Sequence, residues 1–157
     1  MNRFSSPGQG GKCRNPECCK RALLNQERYE ALKSEAETLF EKFRSQEHFY
    51  ANVYFTKHAQ VRMVERAVSQ TELFTILELG YVIDYKRDSK LIIMGWIKLD
   101  EKRYRPIHVL LKINKIKDQY YGNIITLWDP RYSSHLYNET LERRIYFCQP
   151  HDLDEFE

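Results

Sequence analysis

The residues best suited to chemistry lie in Phe55–Ser69, where His58, Arg62 and Arg66 follow one another at four-residue steps. On a helix of 3.6 residues per turn, this spacing places the three side chains along one side, drifting by roughly 40° per step. Thr56 is a predicted N-cap, so His58 falls in the first turn, where the helix dipole disfavours the imidazolium form. The stretch therefore predicts a proton acceptor beside two cations.

Each of these residues also has a structural interpretation. A histidine near a helix start often serves as a surface or capping residue. Arginines on a helix often form ion pairs with carboxylates of the same fold, which contribute little when they are exposed. The carboxylates available for Arg62 and Arg66 are Glu65, Glu72 and Asp84.

Two predicted helices carry this stretch. Ala59, Met63 and Ala67 form an apolar stripe, so the first helix can pack on a sheet while it exposes its cationic side. The segment Ser69-Gln-Thr-Glu72 has the pattern of a capping box and predicts the start of a second helix. That helix is expected to end at Gly80, a suitable residue for the position after a helix.

Beyond the second helix the hydrophobic period changes from 3.6 to 2, which indicates β-strands. The turns are too short for crossover helices, so neighbouring strands are expected to be antiparallel. A short strand is also possible within residues 48–54. The prediction is an α+β fold with helices packed on a four-stranded antiparallel sheet. Its strands are Tyr81–Lys86, Leu91–Lys98, Pro106–Ile113 and Gly122–Trp128.

Alternation in the third of these strands assigns its residues to two faces. Ile107, Val109, Leu111 and Ile113 are expected to face the helices. The opposite face is expected to carry His108, Leu110 and Lys112, joined by Thr126 and Trp128 of the next strand.

Outside the strands and the two helices, composition predicts three further segments. Residues 1–20 are rich in Gly, Ser, Pro and basic residues, which is typical of a mobile tail. Apolar residues at three- and four-residue steps predict an extra amphipathic helix over residues 21–47, which either covers the domain or binds a partner protein. We assign residues 48–147 to the main domain, with a possible last helix at 139–146, and residues 148–157 to an acidic tail.

The net charge of the 157-residue chain is +3, although its last seven residues are strongly acidic. The rest of the chain is therefore basic, and a polyanion is the expected partner. No apolar run approaches the roughly 18 residues that a membrane span needs, and the first residues lack the apolar centre of a secretory signal. We expect a cytoplasmic protein with no membrane partner.

The cysteines allow a zinc site without requiring one. Cys13 and Cys18 have the spacing of a zinc knuckle, and Cys19 with Cys148 or a histidine would complete four ligands. No second close pair of cysteines follows, so reduced thiols in a tail are the alternative and the expectation is that no cofactor is needed.

Four motifs stand in order along the chain. They are Thr56-Lys-His58-Ala-x-x-Arg62-Met-x-x-Arg66-Ala-Val-Ser69, a capped helix ending at Gly80, Arg105-Pro-Ile-His108-Val, and Ile124-Ile-Thr126-Leu-Trp-Asp-Pro130. Over roughly residues 53–130 the chain resembles the domain-of-unknown-function family 4258, in which a histidine opens a helix and R-M-x-x-R-x-I-S follows. In that family a strand like R-P-L-H-V and a last strand like V-I-T-V-Y come next.

The resemblance implies a fold and a function. The family is associated with the RelE and colicin-type endoribonucleases, whose helices pack on a curved antiparallel sheet, and many members resemble toxins of toxin–antitoxin modules. A RelE- or barnase-like fold, an RNA substrate and a protein antitoxin are therefore expected. Two positions depart from the pattern: Ala67 replaces a usual glycine, and Trp128 replaces a tyrosine and cannot donate a phenolic proton.

RNA can be cut without metal if a base takes the 2′-hydroxyl proton, cations stabilise the phosphorane and an acid protonates the leaving 5′-oxygen. His58 fits the base, and Arg62 and Arg66 suit the phosphate. His108 and Lys112 are the candidates for the acid and a further cation. Candidates for substrate binding are Thr126 and, by stacking on bases, Trp128, Tyr120 and Tyr121.

Structural roles are open for the strand candidates as well. His108 can be a packing residue, Thr126 can make a cross-strand contact, and Tyr120 and Tyr121 can cover a sheet edge. Without an acid in place, the chain would be a non-catalytic RNA- or protein-binding module on the same fold.

Overall fold

The computed structural model describes residues 16–131, 136–138, 140–141 and 143. The chain divides into two compact units, one formed by residues 1–32 with 131–157 and the other by residues 33–130. Several predictions fall outside the described residues: the acidic tail, residues 1–15 of the N-terminal tail, most of the predicted helix at 139–146, Cys13 and Cys148.

The predicted N-terminal helix is present and begins earlier than expected, at Pro16 rather than near residue 21. Proline suits the first helical turn because its missing N–H would have no partner there. Within the first unit, Arg143 Nε donates to Glu30 Oε1 at 2.8 Å. Tyr29 and Tyr137 are buried.

The structure describes the following helices and strands in chain order. They are helix α1 (Pro16–Arg44), a 3-10 helix (Phe49–Asn52), strand β1 (Val53–Phe55), helices α2 (Lys57–Arg66) and α3 (Gln70–Leu79), and strands β2 (Tyr81–Lys86), β3 (Lys90–Lys98), β4 (Tyr104–Ile116) and β5 (Gln119–Trp128).

The sheet has five strands in the order β1-β5-β4-β3-β2. Strands β2 to β5 pair antiparallel as predicted, whereas β1 pairs parallel with β5, Val53 opposite Gly122 and Phe55 opposite Ile124. The prediction of a four-stranded, wholly antiparallel sheet was therefore wrong, because a fifth strand makes the sheet mixed. Turn lengths constrain consecutive strands only, and β1 is separated from its partner β5 by α2, α3 and the strands β2 to β4.

The core lies between one face of the sheet and the helices. Ile107, Val109, Leu111 and Ile113 of β4 belong to it, as the alternation predicted. Ala59 of α2 and Leu73 of α3 belong to the same buried cluster, so both helices cover this face. We call the other face, turned away from α2 and α3, the distal face.

Local hydrogen bonds fix the helix ends near residues predicted from the sequence. Thr56 caps α2 by accepting from the Ala59 N–H at 3.0 Å. Ser69 and Glu72 form the predicted capping box of α3. Gly80 follows α3 as predicted, in an extended conformation with φ −76° and ψ 178°. A side chain at Gly80 would lie 2.4 Å from the Ile76 carbonyl oxygen, which explains the glycine.

Candidate functional site

The first turn of α2 is fixed onto the middle of β5 by Thr56. Its N–H donates to the Ile124 carbonyl at 3.1 Å, and its hydroxyl donates to the Ile125 carbonyl at 2.8 Å. The β4–β5 pairing shifts register at this point, so Ile125 is an extra residue in β5. The helix that carries the candidate residues therefore starts from a backbone position that the sheet determines.

We call His58, Arg62 and Arg66 the α2 ridge. Ala59 is fully buried under α2, and the 40° drift of the ridge brings successive side chains closer to the sheet. Accordingly, His58 is exposed, whereas Arg62 and Arg66 are half-buried. No hydrogen bond or ion pair joins the His58 ring to another residue that the structure describes. The imidazole is therefore open to a substrate.

Of the three predicted carboxylate partners, Glu65 contacts Arg62 of the ridge. Arg62 Nη1 lies 3.3 Å from Glu65 Oε2 on the exposed side of α2. Such an exposed pair contributes about 0–1 kcal/mol, so an anion can compete for this guanidinium. Glu72 is engaged in its capping box, and Asp84 lies 3.3 Å from the Lys86 ammonium.

Arg105 is a positioning residue that the sequence reasoning passed over. Its guanidinium donates to the carbonyl oxygens of Arg66 at 2.7 Å and Ala67 at 3.3 Å. A cation at these terminal carbonyls also matches the negative end of the helix dipole. Arg105 thus fixes the end of the ridge to β4. The sequence feature that could have identified Arg105 is its place in the Arg105-Pro-Ile-His108 motif.

The structure does not bring the predicted acid to the predicted base. His108 is fully buried on the distal face, where its ring and that of Trp128 form an edge-to-face contact with centroids 5.9 Å apart. Lys112 projects to the same face, because both neighbours, Leu111 and Ile113, belong to the core. The α2 ridge lies on the other side of the sheet, so His58 does not share one phosphate with either residue.

The remaining strand candidates also divide between the two faces. Thr126 pairs with Leu110 and Trp128 with His108, which places both on the distal face as predicted. Tyr120 instead packs against the core on the helix side, with Lys115 Nζ 5.6 Å from its ring centroid. Its neighbour Tyr121 projects to the distal face.

The residues that the structure describes do not form a set of ligands for the predicted zinc ion. Cys18 and Cys19 are half-buried at the start of α1, and Cys13 is outside the described residues. Within the described part of the chain, no three His, Cys, Asp or Glu side chains are grouped to hold a metal ion. None of the described helices is both long and apolar enough to span a membrane.

Fold and site together define a class: a small α+β domain in which two capped helices cover one face of a mixed five-stranded sheet and the first presents a histidine–arginine ridge. Residues 55–129 match the family described as Domain of unknown function (DUF4258). The matched segment runs from the end of β1 to the residue after β5. Comparisons with curated proteins and with solved structures give no match.

Proposed function

We propose that the domain is a metal-independent endoribonuclease of the toxin type. The observation that carries the proposal is the α2 ridge, in which an exposed imidazole without a described partner stands beside two guanidinium groups of the same helix. A RelE-like arrangement of the fold, a cytoplasmic location and neutralisation by an antitoxin protein belong to the same proposal and rest on the family resemblance.

In the proposed reaction, His58 takes the proton of a 2′-hydroxyl and the 2′-oxygen attacks the adjacent phosphorus. The bond from phosphorus to the 5′-oxygen breaks, giving a 2′,3′-cyclic phosphate and a 5′-hydroxyl. Arg62 and Arg66 stabilise the negative charge that develops on the phosphorane oxygens. The leaving 5′-oxygen takes its proton from water, because His108 is buried on the distal face.

The same burial favours a second candidate function. Without a side-chain acid on the ridge, the domain would bind RNA through Arg62 and Arg66 and leave it intact. Binding of this kind needs only the phosphate contacts and would be strongly salt-dependent.

Cleavage of end-labelled RNA by the purified chain in the presence of a chelator distinguishes the two. We expect a 2′,3′-cyclic phosphate product and a loss of rate of about 100-fold or more in His58→Ala, since general base catalysis contributes about 10²–10⁴. His48→Ala is the matched control, because His48 is another exposed histidine outside the ridge. RNA binding without cleavage by the wild type supports the second function, and unchanged cleavage by His58→Ala removes the proposed base.

A further inference from the structure

A single row of side chains crosses all five strands on the distal face. Its members are direct neighbours in the pairing from β2 to β1: Lys86 opposite Lys90, Lys90 opposite Lys112, Lys112 opposite Asn123, and Asn123 opposite Tyr54. Directly paired residues project to the same face of a sheet. We call these five residues the lysine row.

The row is open to solvent although other parts of the distal face are closed. Lys86, Lys90, Lys112 and Asn123 are half-buried and keep part of their surface exposed, and Tyr54 is 52% exposed. Five strands are separated by four spacings of about 4.8 Å, so the row is about 19 Å long. Its length suits an extended chain better than a single small anion.

The charges of the row are not balanced. Like charges directly opposite each other destabilise a strand pair, yet Lys90 and Lys112 are such a pair. Lys86 has Asp84 as its counter-charge at 3.3 Å. Neither Lys90 nor Lys112 makes an ion pair with any residue that the structure describes, including Asp88 and Asp118 of the adjoining turns. An external anion would relieve this repulsion.

Aromatic rings stand beside the lysines. Tyr54 ends the row, and its ring centroid lies 6.3 Å from that of Tyr121, with the planes tilted by 33°. Tyr121 pairs with Asn114, so it occupies the next position along the same face. Cations that meet phosphates, next to aromatic faces that accept bases, are the combination used to bind single-stranded nucleic acid. An acidic peptide would match the lysines and leave the rings without a planar partner.

We propose that the lysine row binds single-stranded RNA, with Lys90 and Lys112 at phosphates and Tyr54 and Tyr121 against bases. The site lies on the face opposite the α2 ridge, so it goes beyond the proposed cleavage and does not depend on it. Binding occurs whether or not His58 acts as a base.

The test is binding of a fluorescent 2′-O-methyl oligouridylate, measured by anisotropy over a range of salt concentrations. This probe cannot be cut by 2′-oxygen attack, so failure of the nuclease proposal leaves the measurement intact. Lys90→Gln with Lys112→Gln is expected to weaken binding about tenfold and to reduce the salt slope by about 1.4, since each phosphate contact on a single strand contributes about 0.7. The matched control is Lys98→Gln with Lys102→Gln, which removes the same charge at the last residue of β3 and in the turn that follows it, and is expected to change affinity less than twofold.

Two further variants identify which groups of the ligand the lysine row binds. Tyr54→Leu with Tyr121→Leu is expected to weaken binding of the oligouridylate and leave binding of an abasic oligonucleotide unchanged, because stacking needs a base. Lys112→Glu is expected to raise the thermal midpoint at low salt, since it replaces a like-charge pair by an opposite one, and to weaken RNA binding. A role in folding alone would leave RNA binding unchanged in this variant.

The proposal is overturned if the Lys90/Lys112 variant binds the probe as tightly as the wild type, or loses no more than the control. It is also overturned if an acidic peptide binds with the same lysine dependence while the tyrosine variant keeps its full RNA affinity. In that case the row is a protein-binding surface.

Discussion

The α2 ridge and the lysine row are both basic, but their charges are arranged differently. On the ridge, Arg62 has a carboxylate of its own helix nearby, and the exposed group is an imidazole that can exchange a proton. On the lysine row, Lys90 lies opposite Lys112, and neither of them makes an ion pair with an acid among the described residues. Ammonium groups at neutral pH hold an anion and cannot act as bases. The ridge is thus suited to chemistry and the row to holding a strand.

The two regions also depend on different levels of structure. The ridge needs one helix, whose start is fixed by Thr56 and whose end is fixed by Arg105. The row needs the register of all five strands, including the parallel pairing of Tyr54 with Asn123. A local change can therefore damage the ridge while the row persists.

The largest expected effect concerns the kinetics of RNA cleavage, in which the ridge is expected to determine kcat and the lysine row KM. Arg62→Gln with Arg66→Gln is expected to lower kcat about 100-fold with little change in KM, because these guanidinium groups act on charge that develops in the transition state. Lys90→Gln with Lys112→Gln is expected to raise KM about tenfold at constant kcat, because binding away from the reacting atoms is uniform. Steady-state cleavage of a fluorogenic RNA measures both, and equal losses of kcat in the two variants would contradict the separation.

Local rules predicted the ridge well. The N-cap at Thr56 and the capping box Ser69–Glu72 were confirmed residue by residue, because each depends on hydrogen bonds within four positions of the chain. The change of hydrophobic period after Gly80 predicted the positions of four strands, and β2 was confirmed with its predicted bounds. The family resemblance was confirmed over residues 55–129.

Local rules could not predict the lysine row, because the row depends on strand register, which is set by residues far apart in the sequence. A three-residue strand pairs with residues almost seventy positions later, and extra residues at Ile83 and Ile125 shift the pairing of β2 and β5. Alternation had placed His108 and Lys112 on the face away from the helices, so joining them to His58 required a site that reaches around the sheet. The burial of His108 depends on packing that no local pattern reports.

A smaller effect tests how firmly the ridge is tied to the sheet. Thr56→Val removes the N-cap bond to Ala59 and the hydroxyl bond to the Ile125 carbonyl, so we expect the free energy of unfolding to fall by about 1–2 kcal/mol. Thr75→Val is the control, because its hydroxyl bonds only to Thr71 within the exposed side of α3, and a change within about 0.5 kcal/mol is expected. Urea denaturation measures both variants, and equal losses would show that Thr56 is not a special anchor.

The smallest expected effect concerns the other end of the ridge. Ala67 follows α2 with φ 53° and ψ 52°, a left-handed conformation that glycine adopts without the steric strain of a Cβ atom. Ala67→Gly should therefore raise the free energy of unfolding by about 0.5–1 kcal/mol in urea denaturation. The matched change Ala51→Gly should give no gain, since Ala51 is exposed and is not among the residues with positive φ.

Arg105 bonds to backbone carbonyls at this turn, so both of its hydrogen bonds survive the substitution of Ala67. The ridge would then keep its position and lose only its strain, and cleavage and RNA binding should stay at wild-type levels. A loss of stability in Ala67→Gly would mean that chain entropy outweighs the strain at this position. Arg105→Gln would then become the variant that separates the ridge from the row, because Arg105 ties the end of α2 to β4.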